Sequence, residues 1–387
     1  MNKKSHRIIY TTAAIALGII IVMVLSLLGN KSRGPLEEIA EVAGTTLNNI
    51  ERYFIVNQKK DKREDKLKWF KSDLLNLKKT DIILLGAYDN QTTDSYESII
   101  NLEESLHTTF PLIHIYKAWG SKDNEQFPNL DVQAILELGS IPVITWEPWL
   151  TDFDANKYPN LRSIETRDKS GLADIAKGIY DFYIRSWALS AAKINKPIFI
   201  RFAHEMNDPY RYPWGPHNNS AKDFISAWRH VYKIFKEEGA DNIIWIWSPH
   251  PAYGFYNDFY PGNDYVDYVG SSALNYGTVA NWSKWWSFKD IFEKHYKELA
   301  LFNKPIMLCE FGSLAVGGSR SKWFSEALTN LPQEYPAMKS ILFFHYSDDK
   351  TTTQQYLDWY FKNDSSSVKA IINQIKLWPD SVKLKLK

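Results

Sequence analysis

Eight apolar segments of strand length, spread over residues 82–349, restrict the fold of this chain more than any other feature. They are IILLGAY (82–88), LIHIYKAW (112–119), PVITWEPW (142–149), PIFIRFAHE (197–205), NIIWIWSPH (242–250), YVDYVGSSALNY (265–276), PIMLCEFG (305–312) and SILFFHYSDD (340–349). Short, nearly continuous apolar runs bounded by turn residues suit strands buried on both faces. Segments of helical periodicity separate them. One runs from Leu172 to Trp187 with Ile175, Ala176, Ile179, Tyr183 and Trp187 on one face. Another begins at an N-cap serine, Ser220, carries Phe224, Trp228, Val231 and Phe235, and stops at Gly239. A last helix is expected over Ser367 to Leu377. Strands alternating with helices mean a parallel α/β fold, and eight of them suit a (β/α)₈ TIM barrel. A doubly wound open sheet could be cut from the same pattern. The barrel is preferred because the 82–88 run leads into Asp89-Asn90 rather than a glycine-rich phosphate turn. Nearly every strand also ends in aromatic or polar residues, as an all-round rim requires.

The chain has 387 residues and a formal net charge of +1, so neither nucleic acid nor another charged polymer is an expected partner. Its 15 tryptophans and 22 tyrosines exceed what a core alone asks for and are suited to stacking on sugar rings. Cys309 is the single cysteine, which excludes an internal disulfide and leaves the redox compartment open. Beside Glu310, strand alternation is expected to turn it away from that residue, as inert core.

Ahead of the barrel, Lys3, Lys4 and Arg7 precede an uncharged stretch at 8–28 long enough to span a bilayer. The expected organisation is a cytoplasmic basic stub at 1–7, a transmembrane signal anchor at 8–28, and a linker with a juxtamembrane helix at 29–80. The hydrolase-type barrel follows at 81–378, with a tail at 379–387. The juxtamembrane helix rests on apolar residues at 36, 40, 43, 47, 50 and 54, and the charged run 59–68 reads as a solvated face. The bulk of the protein would lie outside the cytoplasm, or be secreted if the N-terminal segment is a cleaved signal peptide.

In a barrel of this kind chemistry sits at the C-terminal ends of the strands. Residues placed there are Trp119, Glu147, Trp149, His204, Glu205, His250, Asn275, Tyr276, Glu310, His345, Asp348 and Asp349. Glu205 ends the fourth strand and Glu310 the seventh. Two carboxyls across a barrel mouth suit glycosidic bond cleavage, one donating a proton to the leaving oxygen and the other attacking the anomeric carbon. The histidines lack ligand-grade spacing, with no HExxH, so no metal and no other cofactor is expected.

The segments RFAHEMND…YPWG (201–215), SAWRHVYKIFKEEGADNIIWIWSP (226–249) and LCEFG (308–312) resemble glycoside hydrolase family 26, retaining β-glycanases best known as β-mannanases. ITWEPW and YVDYVG…NY resemble that family's third and sixth strands, and the likeness covers roughly residues 80–375. It implies Glu205 as acid/base, Glu310 as nucleophile, His204 as the residue supporting Glu205, Tyr276 as hydrogen-bond partner of Glu310, and Arg201 as a buried arginine beneath the site. Trp119, Trp149, Trp214, Asn275 and His250 are the expected sugar contacts. After His204-Glu205 the chain keeps Met206-Asn207 but continues Asp208-Pro209-Tyr210 before Trp214, where the mannanases it resembles typically follow Met-Asn with Gly and a tryptophan-rich run, so the substrate is less fixed than the reaction. β-Mannan is the first expectation, then mixed-linkage or β-1,4-glucan, then β-xylan. The opposing expectation is a catalytically silent carbohydrate-binding or scaffold protein at the cell surface.

Overall fold

A computed structural model describes residues 63, 67, 74–91, 96–280, 283–350 and 355–383. The expected span at 8–28 and the helix at 36–54 lie outside these residues. Among the described residues no helix is long and apolar enough to cross a membrane. Eight parallel strands close into a barrel in sequence order. They are β1 (Leu84–Asp89), β2 (Leu112–Ala118), β3 (Ile141–Glu147), β4 (Ile198–Phe202), β5 (Ile243–Trp247), β6 (Tyr268–Asn275), β7 (Ile306–Ser313) and β8 (Met338–His345).

Alternation divides each strand between two cores. Inside the barrel Leu84, Leu112, Val143, Phe199, Ile244, Ile246, Tyr268, Met307 and Leu342 pack together. Leu77, on a short helix Leu74–Lys78, plugs the lower end, and Tyr268 Oη donates to its carbonyl. The opposite parity faces the helices and belongs to a larger aromatic-rich core, with Ile200, Phe202, Trp245, Trp247, Phe311 and Phe343. Gly270 lies where a Cβ would come within 3 Å of both Ser248 and Cys309, so the inner layer has no room there for a side chain.

One irregularity decides the site. On β7 the pairing jumps from Ser271↔Leu308 to Ser272↔Glu310, and towards β8 from Leu308↔Ile341 to Phe311↔Phe343. Cys309 is the extra residue of a β-bulge. Strict alternation from Met307 would put Cys309 inside and Glu310 outside. The bulge keeps Cys309 in the inner core and still turns Glu310 into the mouth. Cys309 is buried core as expected, but it lies on the same inner side as Glu310 rather than turned away from it.

The helices follow the sequence with two corrections. Ala221–Glu237 is capped by Ser220, whose side chain accepts from Asp223 N, and Gly239 follows with φ of 74°. Ser365–Leu377 is the closing helix. The expected helix over 172–187 is instead two, Gly171–Ala176 and Asp181–Ile194. Gly178, at φ 86°, ends the first in a left-handed turn, which rotates the second and leaves Ile179 exposed. The charged run at 59–68 is not wholly solvated either. Arg63 is buried, ion-paired with Glu103 and donating to Leu138 O and Ser140 Oγ, and Leu67 is buried as well.

Candidate active site

The floor of the mouth is built from inward residues of β2, β3, β4 and β7. Arg201 is fully buried, and its Nη1 donates to Glu310 Oε1 at 2.8 Å. Thr145 Oγ1 lies 3.4 Å from the same nitrogen and 2.7 Å from His114 Nε2. Tyr116 Oη donates to Glu310 Oε1 at 2.8 Å. Burial alone would raise the Glu310 carboxyl, but the Arg201 charge and hydrogen bond, aided by Arg211 and Tyr116, outweigh it and hold the group at about 2. Burial and then the Arg201 charge push His114 down to about 3, so it adds no competing cation. Glu310 is thus an oriented carboxylate held ionised by Arg201, the state a nucleophile needs.

Glu205 is set by unusual backbone. Ala203 and Glu205 have φ of 44° and 54°, a left-handed conformation of order 1–2 kcal/mol per residue that persists only where surroundings enforce it. Here they do. Ala203 N donates to Trp146 O of β3, and Glu205 N to Ser248 O just beyond β5, at 3.0 and 2.7 Å. The carboxyl of Glu205 is buried. Ser272 Oγ donates to Oε1 at 3.4 Å, Oε2 has no hydrogen-bond partner among the described residues, and Arg211 Nη1 stands 3.8 Å from it.

A carboxylate oxygen of Glu205, one of Asp208 and a ring nitrogen of His250 lie within 4.8 Å of one another. The donor set does not suit a cation. His250 Nδ1 accepts from Ala252 N at 3.0 Å, which fixes its proton on Nε2 and leaves neither nitrogen a free lone pair. Asp208 Oδ1 already accepts from Tyr210 N and Arg211 N. Asn207 fixes the neighbouring loop through His250 N, His250 O and Gly254 O.

A chamber of about 400 Å³ opens above Glu310. Tyr88, Tyr116, Phe344 and Tyr346 form one wall; Glu147, Trp149, Tyr212 and Arg211 form the other. A second cavity, of about 410 Å³, lies away from these residues, between Leu85, Leu106, Ile372 and Trp378, and is mainly apolar.

Several expected sugar contacts sit elsewhere. Trp119 is fully buried against Trp146, Phe202 and Tyr183; it directly follows β2 on the helix-facing parity, so it is core. Trp214 is buried too, stacked on Tyr212 with centroids 4.6 Å apart, and its Nε1 donates to His204 O at 2.7 Å. It backs the chamber wall, while Tyr212 presents the surface. Asn275 is buried and ties loops together, donating to Ser313 Oγ and accepting from Gly277 N and Trp286 N. Trp149 does line the chamber, and His250 is half-buried beside Glu205 and Asp208. His204 Nε2 is 3.0 Å from Tyr212 Oη, with the ring held neutral by burial and by Arg201. Tyr276 packs edge-on to Trp359 at 4.9 Å, while the hydroxyl on Glu310 is that of Tyr116.

The sequence did not single out Tyr88, Tyr116, Phe344 and Tyr346 as chamber residues. Parity would have found most of them. Tyr88 lies two residues after Gly86, Tyr116 two after His114 and Phe344 two after Leu342, each on the inner face of its strand. Arg211 lies in a loop, where no periodicity points.

Residues 142–317 match the family model described as glycosyl hydrolase family 26. Endoglucanase H of Acetivibrio thermocellus is 30% identical over 295 residues, covering 74% of this chain and 29% of that protein. A mannan endo-1,4-β-mannosidase of Bacillus subtilis strain 168 is 31% identical over 161 residues, 40% of each chain. The chain thus spans well under half the length of these relatives. A β-mannanase structure from Bacteroides ovatus aligns over 84% of this chain and 98% of its own with a TM-score of 0.55 and 16% identity, a likeness of fold. Strand-four and strand-seven glutamates on a closed barrel, within the matched residues, place this chain in glycosyl hydrolase family 26.

Proposed function

We propose that this chain is a retaining glycoside hydrolase that cleaves internal β-linkages of a polysaccharide by double displacement. The observation that carries this reading is Glu310: a buried carboxylate kept ionised by Arg201, aligned by Tyr116, and open to a sugar-sized chamber. Glu310 attacks the anomeric carbon while Glu205 protonates the departing oxygen. Glu205 then takes a proton from water, and the hydroxide displaces Glu310 from the sugar. His204 and Trp214 support the strand-four end that carries Glu205.

β-Mannan is the first candidate substrate, mixed-linkage or β-1,4-glucan the second and β-xylan the third. The names of two relatives, an endoglucanase and a mannan endo-1,4-β-mannosidase, support keeping both mannan and glucan in front. The test is reducing-sugar release and product anomer from this panel, with Glu310→Ala and Glu205→Gln as controls. Release with retained configuration, lost in both variants, is expected. Equal background from wild type and variants would leave the silent carbohydrate-binding reading in its place.

We also propose that residues 8–28 anchor the enzyme in the membrane with the barrel outside the cytoplasm. The uncharged stretch behind Lys3, Lys4 and Arg7 supports this. Recovery of the full chain in the membrane fraction, with the barrel accessible to external protease, is the expected result; a soluble product lacking 1–28 contradicts it.

A further inference from the structure

The chamber contains a second carboxyl besides Glu310. Glu147 ends β3 on the inner parity and lines the same space as Glu310. Glu205 does not line that space; it sits behind Arg211 on the side of Asp208 and His250. In a displacement at an anomeric carbon the proton donor must stand at the leaving oxygen. The chamber therefore receives the sugar that becomes bonded to Glu310, and the departing part of the chain extends toward Glu205.

Two of the chamber's hydroxyls are already engaged. Tyr116 Oη is spent on Glu310, and Tyr212 Oη is paired with His204. Glu147 differs. Its Oε2 accepts from Trp149 Nε1 at 3.2 Å, which fixes the rotamer, while Oε1 has only His204 Nδ1, 3.9 Å away and beyond hydrogen-bond reach. That pair is not an ion pair, since His204 is held neutral by its burial.

We infer that Glu147 is the principal hydroxyl-binding residue of the donor-sugar site, holding an uncharged sugar through adjacent hydroxyl groups while Trp149 fixes the carboxyl. The inference rests on the proposed hydrolase reading and deepens it. A uronic acid placed here would bring a third negative charge beside Glu147 and Glu310, so the site selects neutral backbones. Burial pushes the Glu147 carboxyl up to about 7. The charged and titratable groups facing it are Tyr88 from β1, Arg201 from β4, His204, Arg211 and Tyr212 from the loop after β4, and Glu310 from β7. Near neutrality it exists in both forms. The protonated form both donates to and accepts from hydroxyls, and the ionised form only accepts.

The experiment uses the full chain and four probes: the β-1,4-linked tetraoses of mannose, glucose and xylose, and a mixed-linkage glucotetraose. Affinity is measured by calorimetry in a Glu205→Gln background, at pH 5.5 and pH 8, alone and with Glu147→Ala or Glu147→Gln added. Wild-type hydrolysis of each probe is recorded in parallel. Expected is about a 10- to 100-fold loss of affinity for the best probe with Glu147→Ala. With Glu147→Gln, affinity at pH 5.5 stays within about threefold and the change between pH 5.5 and 8 disappears. Should the alanine variant fail to fold, the near-isosteric glutamine variant and its lost pH response decide. Unchanged affinity in the alanine variant, an unchanged pH response in the glutamine variant, or no binding of any probe overturns the inference. Glu147-dependent binding with no wild-type hydrolysis would instead overturn the hydrolase reading alone.

Discussion

Replacing Arg201 by methionine keeps most of the buried volume and removes the cation that keeps Glu310, the proposed nucleophile, ionised. Arg201 is fully buried; its charge meets Glu310 at 2.8 Å, while Nε and Nη2 have no hydrogen-bond partner among the described residues. Glu310 sits at about 2, against about 4.3 for an unperturbed glutamate, so its ionisation contributes about 3 kcal/mol to folding at neutral pH. Because the folded carboxyl is depressed, that stability is present above about pH 4.3 and is lost as pH falls through about 2. In Arg201→Met burial becomes the dominant influence and takes the carboxyl above the usual range, so the sign inverts. The variant then loses stability as pH rises through and beyond about 4.3. Removing one partner of a buried pair adds a cost of about 3–5 kcal/mol if the other stays charged, which favours protonated Glu310. A protonated carboxyl does not attack. kcat/KM at pH 5 is therefore expected about 10- to 100-fold lower, with partial recovery toward pH 8. The assays are kcat/KM against pH and urea midpoints against pH. An acid limb in the variant that coincides with wild type, with midpoints rising from pH 5 to 8, would refute the reasoning.

Other expectations follow from the same geometry. Tyr116→Phe removes one hydrogen bond to an ionised carboxylate and should lower kcat by about 10- to 100-fold with a loss of stability of only about 1.5–3 kcal/mol, measured by steady-state kinetics and denaturant unfolding. Trp119→Ala and Trp149→Ala should separate core from chamber. The first should cost about 3–5 kcal/mol in denaturant unfolding, and the second should raise KM with little loss of stability. Burial pushes the Cys309 thiol up to about 11, so iodoacetamide at pH 7.5 should leave the native protein unlabelled and fully active, by intact mass and rate.

Much of the fold was legible because each strand is an apolar run of the right length, and a closed barrel needs little else from sequence. Glu205 and Glu310 were legible as residues at the ends of β4 and β7. Their presentation was not. The bulge at Cys309 lives in the pairing with β6 and β8, which no single strand records. Trp119 and Trp214 looked like sugar platforms because they follow strand ends. Parity sends Trp119 to the helix layer, and the loop turns Trp214 behind Tyr212. The split at Gly178 was readable from a glycine inside a helical pattern, whereas Arg211 over Glu205 depends on a loop path that composition does not encode.

The central claim is that Glu310 becomes bonded to the sugar. The most direct measurement is mass spectrometry of the protein incubated with activated 2-deoxy-2-fluoro mannobiosides and glucobiosides, which form the glycosyl-enzyme but release it slowly. A mass gain of one glycosyl group, mapped to the peptide holding Glu310 and absent in Glu310→Ala, is expected. An adduct on Glu205 or Glu147, or an inverted product anomer with no adduct at all, would contradict it.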